Sequence, residues 1–386
     1  MLRIARLLLL VMPWAAGLPP AWADSLAEHL STIEKAGPAA AGSAEARAAC
    51  DALSAAGAEA LPRLLAAMDT ENPVAANWYR VAYQAIVERE LSLPHPQLPA
   101  DALRAFARDA RHSGRARRLA LALCDGLEAG FSKQLIAQLI DDPEFRTEAV
   151  EAALTAGTQA LDAGDSETAR EQFQRAFDHA RDGQQALRAA NRLSALGEQV
   201  NVAEQLGLIT GWWLLGPFDA PGLSGFDRTF PPEQAVDLSG RYVGQDGSDL
   251  RWKAHREADP LGLVNLLQAL APAKEAVGYA YAEIDAPRAL TGQLRAGADD
   301  NCTAWLNGQK VLARAQWLNG HRLDRFVVPI QLQAGRNTLL VKICQGPQNK
   351  DPQVPNNWSL QLRVCDASGK GLPVRVVEPG AKDGKP

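Results

Sequence analysis

The chain has 386 residues, 47% of them hydrophobic and 22% charged, with a formal net charge of −5. That length allows two or three domains, and that apolar share allows packed cores, which excludes global disorder. The acidic excess argues against nucleic acid and anionic membranes as partners, and five cysteines without close Cys or His pairs argue against a disulfide scaffold or a zinc site.

The first 23 residues read as a cleaved signal peptide. Arg3 and Arg6 form a positive start, an apolar stretch begins at residues 7–12, and Ala21-Trp22-Ala23 is an A-x-A site before Asp24. The apolar run is too short to span a bilayer, no later segment reaches the roughly 18 residues required, and no cysteine follows the site to carry a lipid. The expected location is therefore periplasmic or secreted. Without Arg3 and Arg6 the balance is 38 basic to 45 acidic residues, about −7.

Residues 24–206 are Ala-rich and helical in pattern, with a recurring plan. A polar turn leads into Arg and Ala at helical spacing three times: Met68-Asp69-Thr70-Glu71-Asn72-Pro73 ahead of Arg80 and Ala82, His112-Ser113-Gly114 ahead of Arg117, Arg118 and Ala120, and Asp141-Asp142-Pro143 ahead of Arg146 and Ala149. The third, DDPEFRTEAV, resembles the turn between the two helices of a HEAT repeat. There Asp would cap a helix, Pro would take its first turn and Arg would lie over neighbouring carboxylates. Each hairpin exposes an apolar face that the next one buries, so a solenoid-like stack is expected. Residues 147–195 set small Ala156, Ala160, Ala169 and Ala176 against large Leu161, Phe173 and Phe177, with a break at Gly164-Asp165. They are similar to a tetratricopeptide hairpin, or form the last hairpin of the same solenoid.

The pattern changes across residues 197–211, where the domain junction is placed. Trp and β-branched residues become dense, and short alternating runs with turn signals between them predict an antiparallel β-sandwich or jelly roll over residues 207–377. Its centre is residues 297–345. Cys302, Ala304 and Leu306 alternate with Thr303 and Trp305, and Asn307-Gly308 is a type I′ hairpin signal. Phe326, Val328 and Ile330 alternate again, and residues 338–344 form a dense β run. Residues 277–284 and 358–364 give two further strands. Cys344 and Cys365 fall on the polar sides of theirs, with Lys342 and Arg363, and no disulfide is predicted. The tail, residues 378–386, is expected to be disordered.

Several of these residues carry a family resemblance. Asp299-Asp300, Trp305-Leu306-Asn307-Gly308, Leu332 with Gly335 and Asn337, and residues 339–342 and 358–363 resemble the galactose-binding-like jelly roll, as in the sugar-binding domain of family-two glycoside hydrolases. The opening WWLLGPFD at Trp212, with Gly225 to Asp227 and Pro231 to Glu233, is similar to exported β-sandwich proteins of planctomycete-type bacteria, in which helical repeats precede the module. The resemblance covers most of the second half and implies non-catalytic binding of carbohydrate or protein, since a fold of this kind hosts many functions.

The candidate site residues follow from sugar chemistry, in which flat aromatic faces stack on C–H surfaces and planar polar groups pair with hydroxyls. Trp252, Trp317 and Trp358 are the candidate rings, each with core packing as the competing role. Trp317 stands out because it lies in a loop beside Asn319, His321 and Arg322. Asp299 and Asp300 are candidate ligands for a structural calcium, with turn capping as the alternative. Glu283 and Asp285 share a strand face, as a glycosidase pair would, or end a strand at the surface. The expected function is an exported, non-catalytic protein whose jelly roll recognises a carbohydrate or a glycosylated surface. The alternatives are a protein–protein scaffold using the helical repeats and a glycan-active enzyme or its accessory subunit.

Overall fold

The structure is a computed structural model and describes residues 20–315, 317, 320–347 and 357–380. Most of the expected leader, Asn319 and the last six residues lie outside that range. The chain divides into two compact units, Met1–Gln138 and Leu139–Pro386. Helices fill the first half and antiparallel sheets the second, in agreement with the fold expected from sequence.

The first unit contains α1 (Pro20–Glu34), α2 (Ser43–Ser54), α3 (Leu61–Ala67), α4 (Pro73–Leu91), α5 (Ala100–Arg108), α6 (Gly114–Leu127) and α7 (Phe131–Gln138). Two of the three polar turns act as helix starts. Asn72 accepts from the Val74 and Ala75 amides with Pro73 in the first turn, and Ser113 accepts from Ala116. Asp69 joins the two turns by accepting from the Ser113 amide and contacting His112 Nδ1 at 2.6 Å.

The second unit begins with α8 (Arg146–Asp162), α9 (Ser166–His179), α10 (Gly183–Ala195) and α11 (Val202–Leu206). Asp165, Asp182 and Asn201 cap the last three. Gly157 lets α8 approach α9, since a Cβ there would lie 2.7 Å from the Phe173 ring. The third polar turn departs from the HEAT expectation. Asp142 accepts from the Glu144 amide and α8 starts only at Arg146, whose guanidinium binds the carbonyls of Asp141 and Ser368 rather than carboxylates.

The sheets are built from β1 (Gly211–Asp219), β2 (Tyr242–Val243), β3 (Asp249–Leu250), β4 (Lys253–Arg256), β5 (Val264–Asn265), β6 (Ala276–Ala286), β7 (Leu290–Asp299), β8 (Cys302–Leu306), β9 (Gln309–Arg314), β10 (Phe326–Leu332), β11 (Gly335–Gln345), β12 (Ser359–Cys365) and β13 (Arg375–Val376). Two short helices, α12 (Pro231–Gln234) and α13 (Leu266–Ala269), interrupt them. One sheet runs β4-β1-β6-β11-β8-β9, with β13 added on β6, and the other runs β10-β7-β12-β5. Asn307 and Gly308 both take positive φ (50° and 79°), which makes the β8–β9 turn the expected hairpin. The inward set, with Trp212, Ala280, Ala282, Ile284, Cys302, Ala304, Leu306, Leu360, Leu362 and Val364, forms the core between the sheets.

Two features were not specified by the sequence reading. Residues 205–209 are bonded into the sandwich: Leu208 bridges Arg363, the Gly207 carbonyl accepts from Val364, the Ile209 amide donates to the Leu362 carbonyl, and the Gln205 carbonyl accepts from Gly371. A Cβ at Gly207 would lie 2.0 Å from the Val364 carbonyl oxygen, so this crossing requires glycine. The compact second unit accordingly begins near residue 139 and includes α8–α11. Secondly, the expected polar side of β11 is buried. Val277, Tyr279, Tyr281, Trp305, Leu340 and Cys344 meet Phe218, Phe230 and Trp252 in a second core, and Lys342 is buried among them. The segment between β1 and β4 covers that face.

Candidate functional site

β7 belongs to one sheet and β8 to the other, so the chain crosses the end of the sandwich at Asp299-Asp300-Asn301. Two strands, β11 and β12, fix this corner. Ser359 of β12 stands opposite Asp299, the Asp300 amide donates to the Cys344 carbonyl at 3.1 Å, and the Cys344 amide donates to the Asn301 carbonyl at 2.9 Å. Asp300 Oδ2 accepts from the Gly346 amide at 2.9 Å. The Asp299–Asp300 peptide bond is cis.

The corner is polar and closed to solvent. Asp299 is 5% exposed, Asp300 3% and Asn301 0%. Burial, together with the hydrogen bond and charge of Asp300, pushes the Asp299 carboxyl up to about 7. Lys274 and Arg325 are the cations that oppose this shift. Burial holds the Lys274 ammonium below its usual range, with Asp300 and Asp299 pulling it back. Among the described residues, both polar side-chain atoms of Asn301 lack a hydrogen-bond partner, and so do Ser359 Oγ and Trp358 Nε1 at the same end. Buried polar atoms are nearly always paired, so this concentration marks a place where a water, an ion or a ligand atom belongs.

Trp317 and residues 320–325, which lie between β9 and β10, reach this end of the sandwich. Trp317 is half-buried, packs against the second core and lies beside Gly346, where a Cβ would be 3.7 Å from its Cε3 and 2.5 Å from Asp300 Oδ2. His321 Nε2 is 2.9 Å from Gln361 Oε1, and Gln361 in turn donates to the Leu261 carbonyl. Burial pushes the His321 imidazole below its usual range, which favours the neutral form. Arg322 is exposed, and its carbonyl covers Gly297, where a Cβ would be 2.4 Å away. Asp324 anchors the loop through Arg295 and Arg363.

The sequence candidates thus separate. Trp317, His321, Arg322, Asp299 and Asp300 come together at one end of the sandwich, and Asn319 lies outside the described residues. Trp358 and Trp252 do not join them. Trp358 is 1% exposed inside the main core, with its ring against Gly278, and Trp252 is 6% exposed and meets Tyr281 edge-on at 6.3 Å. Packing has claimed both rings, so neither presents a face for stacking. Glu283 and Asp285 are bound by Arg336, and Asp285 also by Arg375. Asn301, Ser359 and Lys274 were missed by the sequence reading. The signal for Asn301 was its place directly after the two aspartates.

No protein-family model matches the chain, and no curated protein matches it in sequence. Fold and site define it as a helical chain followed by an antiparallel sandwich with one buried polar corner. Among the described residues, no helix is long and apolar enough to cross a membrane.

Proposed function

We propose that this is an exported, non-catalytic binding protein whose galactose-binding-like sandwich recognises carbohydrate at the end formed by residues 299–301 and the Trp317 loop. The observation that carries the reading is the fully buried, unpartnered Asn301 amide beside two buried carboxyls, with a half-buried indole next to them. Trp317 supplies a ring for a sugar C–H face, and the buried corner supports that ring from behind through Asp300 and Gly346.

Calcium fits the donor chemistry, since every side-chain donor of Asp299 and Asp300 is an oxygen and the Asn301 Oδ1 lacks a partner. Among the described residues there is no group of three or more His, Cys, Asp or Glu side chains placed for a metal. Asp299, Asp300 and Asn301 would hold the ion, with backbone carbonyls or ligand hydroxyls completing the six to eight oxygens it takes. Its charge would offset the two carboxylates, and Asp299 would lose its proton on binding.

The test is binding of the full chain to plant, algal and bacterial polysaccharides, with calcium and with chelator. Saturable binding that Trp317→Ala abolishes while the variant still melts cooperatively supports the reading, and sensitivity to chelator adds the ion. Absence of binding to every glycan overturns it and moves attention to the helices as a protein-binding scaffold.

A further inference from the structure

The side of the sandwich between the edge strands β9 and β10 holds a groove of about 660 Å³. Its volume lies in the range of roughly 300–1,000 Å³ typical of small-molecule sites. Thr291 at the start of β7 and Asn307 after the end of β8 line it, which puts it at the opposite end of both strands from the Asp299 corner.

The lining is unusual in charge. In a chain with 22% charged residues, none of the residues lining this groove is charged. Leu306, Val311, Ile330 and Leu332 make an aliphatic floor. Gln309, Gln331 and Gln333 are exposed along it, and among the described residues their side-chain amides have no partner. Asn307 differs, since its amide is already bonded to Asn337 and Thr338.

Two chemistries are disfavoured here. A charged ligand would lose hydration with no opposite charge in the lining to offset it. An extended peptide adding to a sheet edge would meet Pro329, which lacks an N–H, on β10, and Lys310 and Arg314 on β9. What complements free carboxamides above an aliphatic floor is an uncharged ligand with paired hydroxyls and C–H faces, because each carboxamide both donates and accepts.

We propose that this groove is a second binding site, taking a neutral oligosaccharide segment through Gln309, Gln331 and Gln333. It shares only the ligand class with the Trp317 reading, and the two sites stand or fall separately.

The full chain is titrated calorimetrically with neutral oligosaccharides cut from β-glucan, mannan, xylan and galactan. Gln309→Ala/Gln331→Ala/Gln333→Ala, which touches only exposed side chains, is expected to weaken one binding event at least tenfold while Trp317→Ala leaves that event unchanged. Thr291→Arg, which puts a charge into the groove, is expected to weaken the same event. Unchanged binding in both groove variants overturns the proposal, and if Trp317→Ala then removes all binding, the corner reading survives alone. Loss confined to the groove variants supports the groove. Failure of the wild-type chain to bind any neutral oligosaccharide overturns the groove proposal.

Discussion

Each sheet of the sandwich buries a long cation on the face turned away from the core, and the two faces are covered from different parts of the chain. On the first sheet, Lys342 donates to Glu233 Oε1 at 2.9 Å and to the carbonyls of Phe226 and Arg228, with the Tyr279 hydroxyl also on Glu233 at 2.6 Å. Its cover is the loop segment around α12. On the second sheet, Arg363 is bound by Asp324 and by the Gly369 carbonyl, and Arg295 shares the same aspartate. There the turn at residues 366–371 packs over the strand, with Arg181 of the helical segment against Gly369 and Gly183 against Leu261 and Leu323. A buried charge persists only when paired, so both cations show that covering the face is part of the fold. The difference is in what each cover carries. The first supplies the core against which Trp317 packs, whereas Asp324 of the second ties the residues that follow Trp317 to the sheet.

That comparison breaks most completely if one cover is removed. A fragment of residues 208–380 is expected to lose cooperative melting, because Arg181 and the Gly183 contact leave with the helices. A fragment of residues 139–380 is expected to keep it, and scanning calorimetry of the two decides. Asp324→Ala comes next. It leaves two guanidiniums facing each other without an anion, a loss of about 3–5 kcal/mol by chemical denaturation. It also releases the Trp317 loop, so glycan binding falls with it. Glu233→Gln keeps an acceptor for Lys342 and Tyr279 and is expected to cost less, about 1–3 kcal/mol, with glycan binding unchanged.

The Asp299 corner adds a pH dependence to one end only. With its carboxyl held up at about 7, the folded chain keeps a proton that the unfolded chain releases near pH 4. Stability in chelator is therefore fully present below about pH 4, declines as pH rises from there to about 7, and levels off above. Melting temperatures across that window are expected to fall for the wild type and to be flatter for Asp299→Asn. The smallest stability effect is that of Trp317→Ala, expected to be about 1 kcal/mol because the ring is only half-buried, alongside loss of glycan binding.

Much of this architecture was legible in the chain itself. Alternation separated Cys302, Ala304 and Leu306 from Trp305, Asn307-Gly308 specified the hairpin, and Asn72-Pro73 and Ser113 marked helix starts, because each depends on a few adjacent residues. The site was legible in part. Asp299, Asp300 and Trp317 stood out by type and setting, but Trp252 and Trp358 did as well, and only packing shows which rings remain open.

Local chemistry alone therefore determined the helices, the strands, their turns and the sides on which side chains fall. Tertiary structure decided what covers each face: that Lys342 and Arg363 lie buried on strand faces that read as polar, that residues 205–209 are bonded into the sandwich, and that among the described residues Asn301 is left unpaired beside two carboxyls. These depend on partners such as Glu233, 109 residues from Lys342, and Asp324, 39 from Arg363. Periodicity specifies the side a residue takes, but not the distant segment that comes to rest against it.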